Sequence, residues 1–216
     1  MEIYLRSSWF LGDMIKNIIF DWSGTLNDDF DSYVDIVNEV FRMMKYDKVM
    51  TKEEIKREFT IPYMTFWNKY FPDLTKEDQD EMFRKVVHLK RCELYPGVKE
   101  FLFELKEKGI KIFVVSSDLK STLIPEATKY GVKDLFVEIF AHVYLKGPKI
   151  KEVVENYDLD PMETLYVGDT SGDIEAGREA GVKTMGVAWG IQCNEKLEAS
   201  NPDYLFDTVF DIKKIL

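Results

Sequence analysis

The chain has 216 residues, with 29 Lys+Arg against 39 Asp+Glu and a formal net charge of −10. Apolar residues make up 45% and aromatics 14%, which excludes a disordered composition and supplies a sizeable core. About 150 residues per domain gives one domain or one core with a modest insertion, and the acidic balance argues against nucleic acid or an anionic membrane as partner, since both want basic surface.

In chain order, residues 1–13 read as an extension and the packed core begins near Ile15. Residues 15–21 (IKNIIFD) form a buried strand that ends in Asp. Residues 28–92 show no strand pattern. Val34, Val37, Phe41 and Met44 make an amphipathic helical stripe, and residues 78–89 make a second with Met82, Val86 and Leu89. Between them lie Phe59, Tyr63, Phe66, Trp67, Tyr70 and Phe71. Without basic residues interleaved, these aromatics read as the core of a helical module and not as a platform for bases.

The chain returns at Tyr95-Pro96-Gly97. Val98, Phe101, Leu102 and Leu105 have helical spacing, and Gly109 is a stop signal. Residues 110–116 (IKIFVVS) are a second strand and 137–143 a weaker third. Ile150, Val153, Val154 and Tyr157 repeat the helical spacing before a fourth strand at 164–169 (TLYVGD), again ending in Asp. A short helix over 174–180 closes at Gly181, and short strands follow at 183–187 and 204–206. Strands alternating with helices predict an α/β fold: a Rossmann-like, three-layer parallel sheet core with an inserted α-helical cap. The expected division is 14–27 with 93–216 as core, 28–92 as cap and 1–13 as extension.

Two cysteines, Cys92 and Cys193, make no disulfide framework, and there is no CxxC pattern. His88 and His142 read as structural or solvated. No apolar run reaches membrane-spanning length, and the expected setting is cytoplasmic.

In a parallel sheet the ligand sits beyond the C-terminal strand ends. Four segments there carry chemistry. In Asp21-Trp22-Ser23-Gly24-Thr25-Leu26 a carboxylate follows a buried strand, where it is costly unless metal, hydrogen bonds or catalysis use it. Gly24 permits a turn that exposes N–H groups to an anion, and an ordinary Asx turn explains the segment equally well. In Gly168-Asp169-Thr170-Ser171-Gly172-Asp173 the two acids lie four apart and suit a hard cation such as Mg²⁺. Helix capping explains one of them but not the pair. Ser116 and Ser117 end a strand and can hold a phosphate oxygen, or merely form a turn. Lys146 precedes a helix and can neutralise a phosphate, Lys149 competes with it, and a solvated lysine is the ordinary alternative.

These segments, in this order, resemble the haloacid dehalogenase superfamily of hydrolases. DWSGTL and GDTSGD carry most of the likeness. Residues 95–98 and LDPMETLYVGDTSGDIEAGREAGVKTMGVAWG look like phosphoglycolate-phosphatase-type members with a helical cap. The resemblance implies that Asp21 is a nucleophile forming an aspartyl-phosphate. It implies Mg²⁺ on Asp21, the Ser23 main-chain carbonyl, Asp169 and Asp173. It further implies Ser116 on the phosphate, Lys146 offsetting charge, and Ser23, Gly24, Thr25 and Ser117 around the phosphate. The implied partner is a small phosphorylated metabolite, with no nucleic acid or membrane; the resemblance leaves the oligomeric state unknown.

One departure stands out. Family phosphatases usually carry an Asp two residues after the nucleophile as general acid and base, and this chain has Ser23. The expectation is atypical acid–base chemistry, slow on alkyl phosphates and less impaired on acyl or aryl phosphates. Asp28, Asp29 or a cap residue could substitute. Two alternatives remain: a carbon–phosphorus hydrolase resembling phosphonoacetaldehyde hydrolases, which need a cap lysine such as Lys45 or Lys48, and a non-catalytic phosphoryl-ligand binding protein.

Overall fold

A computed structural model describes residues 15–216; the 1–13 extension lies outside the described residues. Strand β1 (Asn17–Phe20) is flanked by β4 (Lys111–Val115) and β6 (Thr164–Gly168). With β5 (Glu138–Phe140), β7 (Lys183–Val187) and β8 (Tyr204–Phe206), they form a six-stranded parallel sheet in the order β5-β4-β1-β6-β7-β8. Register aligns Phe20 with Val114 on one side and Val167 on the other. The residues that follow the ends of these three adjacent strands, Asp21, Ser116 and Asp169, therefore lie at one edge of the sheet. The strand order reverses between β1 and β6, the position where open α/β sheets hold ligands.

Alternation builds the layers. Ile18 and Phe20 face one side with Ile112, Val114, Leu165 and Val167, against helix α5 (Val98–Glu107) and helix α6 (Lys120–Tyr130). Ile19, Phe113, Val115 and Tyr166 face the other side, against α7 (Lys146–Asn156) and α8 (Ser171–Glu179). Each fully buried aliphatic side chain of this kind is worth roughly 1.5–3 kcal/mol, so central strands apolar on both faces hold the strand ends in place.

Helix α6 is a correction to the sequence reading, which assigns nothing between β4 and β5. Its Pro125 masks the pattern, but Leu123, Ala127 and Tyr130 are buried at helical spacing.

Between β1 and α5 the chain forms α1 (Phe30–Met43), α2 (Lys52–Glu58), α3 (Met64–Tyr70) and α4 (Lys76–Val86), with a 3-10 turn at Val87–Leu89. These helices share an apolar cluster of their own, in which Phe41 contacts Tyr46, Trp67, Tyr70 and Phe71. The buried face of α1 is Ile36, Val37, Val40 and Phe41, while Met44 is exposed. A two-residue antiparallel pair, β2 (Asn27–Asp28) and β3 (Glu93–Leu94), ties the two ends of this insertion together; the sequence pattern does not predict it. Two residues are too few for a period to show. Helix α9 (Asn194–Ala199) precedes β8.

The insertion is seated on the core. A Cβ on Gly172 would lie 2.4 Å from the Ile61 carbonyl oxygen, so only glycine allows this approach. The Gln192 side chain accepts from the Ser171 N–H (2.6 Å) and donates to the Phe59 carbonyl (2.8 Å), linking the start of α8 to the insertion.

Candidate active site

Asp21 is buried, and its N–H donates to the Val167 carbonyl at 2.9 Å. The chain then turns sharply: the Trp22 carbonyl accepts from the N–H groups of Thr25, Leu26 and Asn27. Gly24 sits at φ +74°, and a Cβ there would lie 2.1 Å from Asp169 Oδ2. Glycine thus serves the left-handed turn and the close approach to Asp169 together.

Asp21, Asp169 and Asp173 are all buried and offer ligand oxygens within 4.8 Å of one another. Among the described residues this is the one such group of His, Cys, Asp or Glu. Lys146 stands beside it, with Nζ 2.8 Å from Asp21 Oδ2 and 2.8 Å from Asp173 Oδ1. Asp173 is saturated. Its Oδ1 also accepts from the Tyr166 hydroxyl (2.9 Å), and its Oδ2 accepts from the Thr170 N–H (3.1 Å) and hydroxyl (2.6 Å). Capping of α8 and membership of the acidic trio, competing readings in the sequence, are both present. Asp169 Oδ2 accepts from the Ile191 N–H at 2.6 Å. Asp21 Oδ1, in contrast, is buried with no hydrogen-bond partner.

Burial disfavours charge on these acids. It pushes the Asp21 carboxyl up to about 7, even against the neighbouring Lys146 ammonium. Asp169 is raised well above the carboxylate range by burial and then by Asp173 and Asp21. Burial works against the Lys146 charge too, but Asp173 and Asp21 outweigh it and raise its pKa. Three acids and one fixed cation leave a local excess of negative charge. An orphaned Asp21 oxygen beside Asp169 fits a small hard cation with oxygen ligands.

Ser116 is buried, with its hydroxyl accepting from the Asp118 N–H at 3.3 Å, and Ser116 and Ser117 both line the cleft above Asp21. The Thr25 hydroxyl is buried without a partner. Lys149 pairs with Glu152 at 2.6 Å and lies over the Phe140 ring, so the lysine brought to Asp21 is Lys146. Neither Lys45 nor Lys48 lines the cleft; Lys45 is exposed and Lys48 pairs with Glu54.

Sequence reasoning missed a second buried lysine. Lys90 lies between Asp118 (2.8 Å), Asp29 (3.1 Å) and Glu126 (3.4 Å). Burial works against its charge, but Asp118, Asp29 and Glu126 hold its pKa well above the ordinary value. Glu126 comes from α6 and also accepts from the Trp22 indole N–H (2.8 Å). The Ser23 hydroxyl sits 2.7 Å from both Asp29 Oδ2 and Asp118 Oδ2, and its single proton serves one of them at a time. Burial raises the Asp29 carboxyl, against the pull of Lys90. Asp29 was one substitute acid considered from the sequence; Asp28 is exposed on β2. No sequence signal joins residues 23, 29, 90, 118 and 126, which come from four separate segments.

A match to the haloacid dehalogenase-like hydrolase model covers residues 18–187. A pyrophosphatase PpaX of Bacillus velezensis is 30% identical over 213 residues, 93% of this chain and 96% of that protein. A phosphoglycolate phosphatase of Synechococcus elongatus is 25% identical over 209 residues, 92% and 95% of the two chains. A haloacid dehalogenase-like family hydrolase from Streptococcus pneumoniae superposes with a TM-score of 0.76 at 20% identity, covering 93% of this chain and 97% of that one. Carboxylate-bearing strand ends, sheet order and family match agree, and the chain belongs to the haloacid dehalogenase-like hydrolases.

Proposed function

We propose that the protein is a Mg²⁺-dependent phosphatase that acts on a small phosphorylated metabolite through an aspartyl-phosphate on Asp21, with residues 28–92 as its cap. The observation that carries this reading is the orphaned Asp21 Oδ1 beside Asp169, with Lys146 occupying the other Asp21 oxygen. One oxygen of the Asp21 carboxylate attacks phosphorus, the other being left to the metal; the bond to the leaving oxygen breaks, and the electron pair leaves with that oxygen. Water then attacks phosphorus, releasing inorganic phosphate and the free carboxylate. Ser116, Ser117 and the 23–25 turn hold the phosphate oxygens, and Lys146 offsets the charge that gathers between Asp21 and the transferring group. Asp21, Asp169 and the Ser23 main-chain carbonyl would hold the metal, while Asp173, already saturated, orients Lys146. The ion supplies charge neutralisation that lets an anionic nucleophile meet an anionic substrate.

Ser23 cannot itself act as a strong acid. Its contact with Asp29 and Asp118 supports a relay in which the hydroxyl passes a proton to the leaving oxygen and regains one from the carboxyl pair. This reading answers the case for a non-catalytic binding protein, which rests on Ser23 alone. A Schiff-base route for carbon–phosphorus cleavage finds no support: Lys90 lines the cleft but is held charged, and a protonated amine is no nucleophile. The two free cysteines suit a cytoplasmic setting. Purified protein with Mg²⁺ is expected to release phosphate from acetyl phosphate and p-nitrophenyl phosphate. Silence with both substrates across several divalent metals would contradict the proposal.

A further inference from the structure

The wall that faces Asp21 across the cleft shows what the leaving group must look like. It comes from the insertion and is mainly apolar, with Tyr33, Phe59, Ile61, Trp67 and Phe83 all lining the cavity. Besides Asp29 and Lys90, its charged member is Asp80, which accepts from the Tyr63 hydroxyl (2.8 Å) and Lys76 (2.7 Å) and lies 3.1 Å from His142 Nε2. Lys76 does not itself line the cavity. Among the described lining residues the one cation is Lys90, and three carboxylates already surround it. A second anionic group on the substrate would therefore be desolvated with no free cation to receive it, next to Asp29, Asp80 and Asp118.

One polar side chain on this wall is not committed. Gln79 is 95% buried (5% exposed) and lines the cavity, and its side chain, unlike its backbone N–H, makes no hydrogen bond among the described residues. It lies one turn before Phe83 on α4, so the two share a helix face. A carboxamide next to aromatic rings offers neutral donors and an acceptor to a ring substituent, not charge compensation.

We propose that the cleft selects phosphate monoesters with an uncharged, aromatic or similarly apolar leaving group, positioned by Gln79 and Phe83, and rejects substrates that carry a second anion, phosphoglycolate and pyrophosphate included. The inference rests on the reading that Asp21 receives the phosphoryl group. It parts from the substrates in the names of the two relatives, and it suits the Ser23 departure, because a phenolate leaves without a strong acid.

The test compares phenyl phosphate with 4-carboxyphenyl phosphate under Mg²⁺. The carboxylated phenol is the better leaving group, so chemistry alone favours it. Phenyl phosphate is expected to show at least about tenfold higher kcat/KM, with a larger margin over phosphoglycolate. Equal or faster turnover of the carboxylated ester overturns the proposal. If every substrate is silent, acetyl phosphate included, the phosphatase reading fails; calorimetric binding of phenylphosphonate and 4-carboxyphenylphosphonate then decides the selectivity alone. About tenfold weaker binding of the carboxylated ligand supports the proposal, and equal binding overturns it. Gln79→Arg is expected to reverse the preference by giving the wall a free cation. Should that variant not fold, Phe83→Arg at a half-buried position makes the same change. An unchanged ratio in a folded variant overturns the assignment of this wall to the leaving group.

Discussion

Two lysines are buried within the same cleft region, each clasped by carboxylates, and they differ in what surrounds the oxygen each leaves free. Lys146 holds Asp21 and Asp173, yet the other Asp21 oxygen stays without a partner beside Asp169. Lys90 holds Asp29, Asp118 and Glu126, the Ser23 hydroxyl joins the cluster, and Asp29 Oδ1 stays without a partner. The first sets its free oxygen within a trio of acids that could hold a cation. The second is an ion cluster in the cavity wall, outside any such trio among the described residues, and Ser23 joins it to the turn after Asp21. Neither a buried lysine with carboxylates nor an unspent oxygen is thus a mark of catalysis by itself; the two clusters differ in the trio of acids around Asp21 that could hold a cation.

The sharpest break between the two is mutational. Asp21→Asn is expected to lower phosphate release by about 10³-fold or more, because the nucleophile itself is gone. Retained activity would show the nucleophile lies elsewhere. Lys90→Met leaves Asp29 and Asp118 buried without their cation, and should cost about 3–5 kcal/mol in urea unfolding. A loss below about 1 kcal/mol would mean the cluster is hydrated and not a structural ion pair. Ser23→Ala tests the exit. Turnover of an alkyl phosphate should fall by about 10–100-fold while acetyl phosphate changes little, since an acyl phosphate needs little protonation. Equal losses on both would remove the relay.

Much of the first cluster was legible in the sequence, because Asp21, Ser116 and Asp169 each follow a buried strand, and parallel strands bring their C-terminal ends together. Lys146 came with a competitor, Lys149, that only packing could remove. The second cluster was illegible. Lys90 follows a 3-10 turn, Glu126 sits on a helix interrupted by Pro125, and their meeting depends on how the insertion docks. Long-range side-chain pairing leaves no period in a sequence. The insertion's aromatic core was visible, but its short helices α2 and α3 were not, since seven residues hold barely two turns of pattern.

Titration tests both clusters more gently. Asp21, Asp29 and Asp169 all have folded pKa values raised above the unfolded value, so the metal-free folded state binds more protons than the unfolded one above that value. The stability they contribute is therefore lost as pH rises, from about 4 through about 7 for Asp21. The thermal midpoint of the chelated protein should fall across that window, and Mg²⁺ should flatten the fall. A midpoint that rises with pH, or ignores Mg²⁺, would break the account of the acidic trio. The smallest effect belongs to Lys149→Ala, which removes an exposed pair and should change stability by no more than about 0.5 kcal/mol and activity hardly at all. A large activity loss would return Lys149 to candidacy.

The central claim is that the Asp21 carboxylate receives phosphorus. A crystal structure of the protein with Mg²⁺ and beryllium fluoride tests it directly. The account predicts beryllofluoride bonded to one Asp21 oxygen, with the ion held by Asp169 and the other Asp21 oxygen. Beryllofluoride on another residue, or a metal bound away from Asp21 and Asp169, would contradict it.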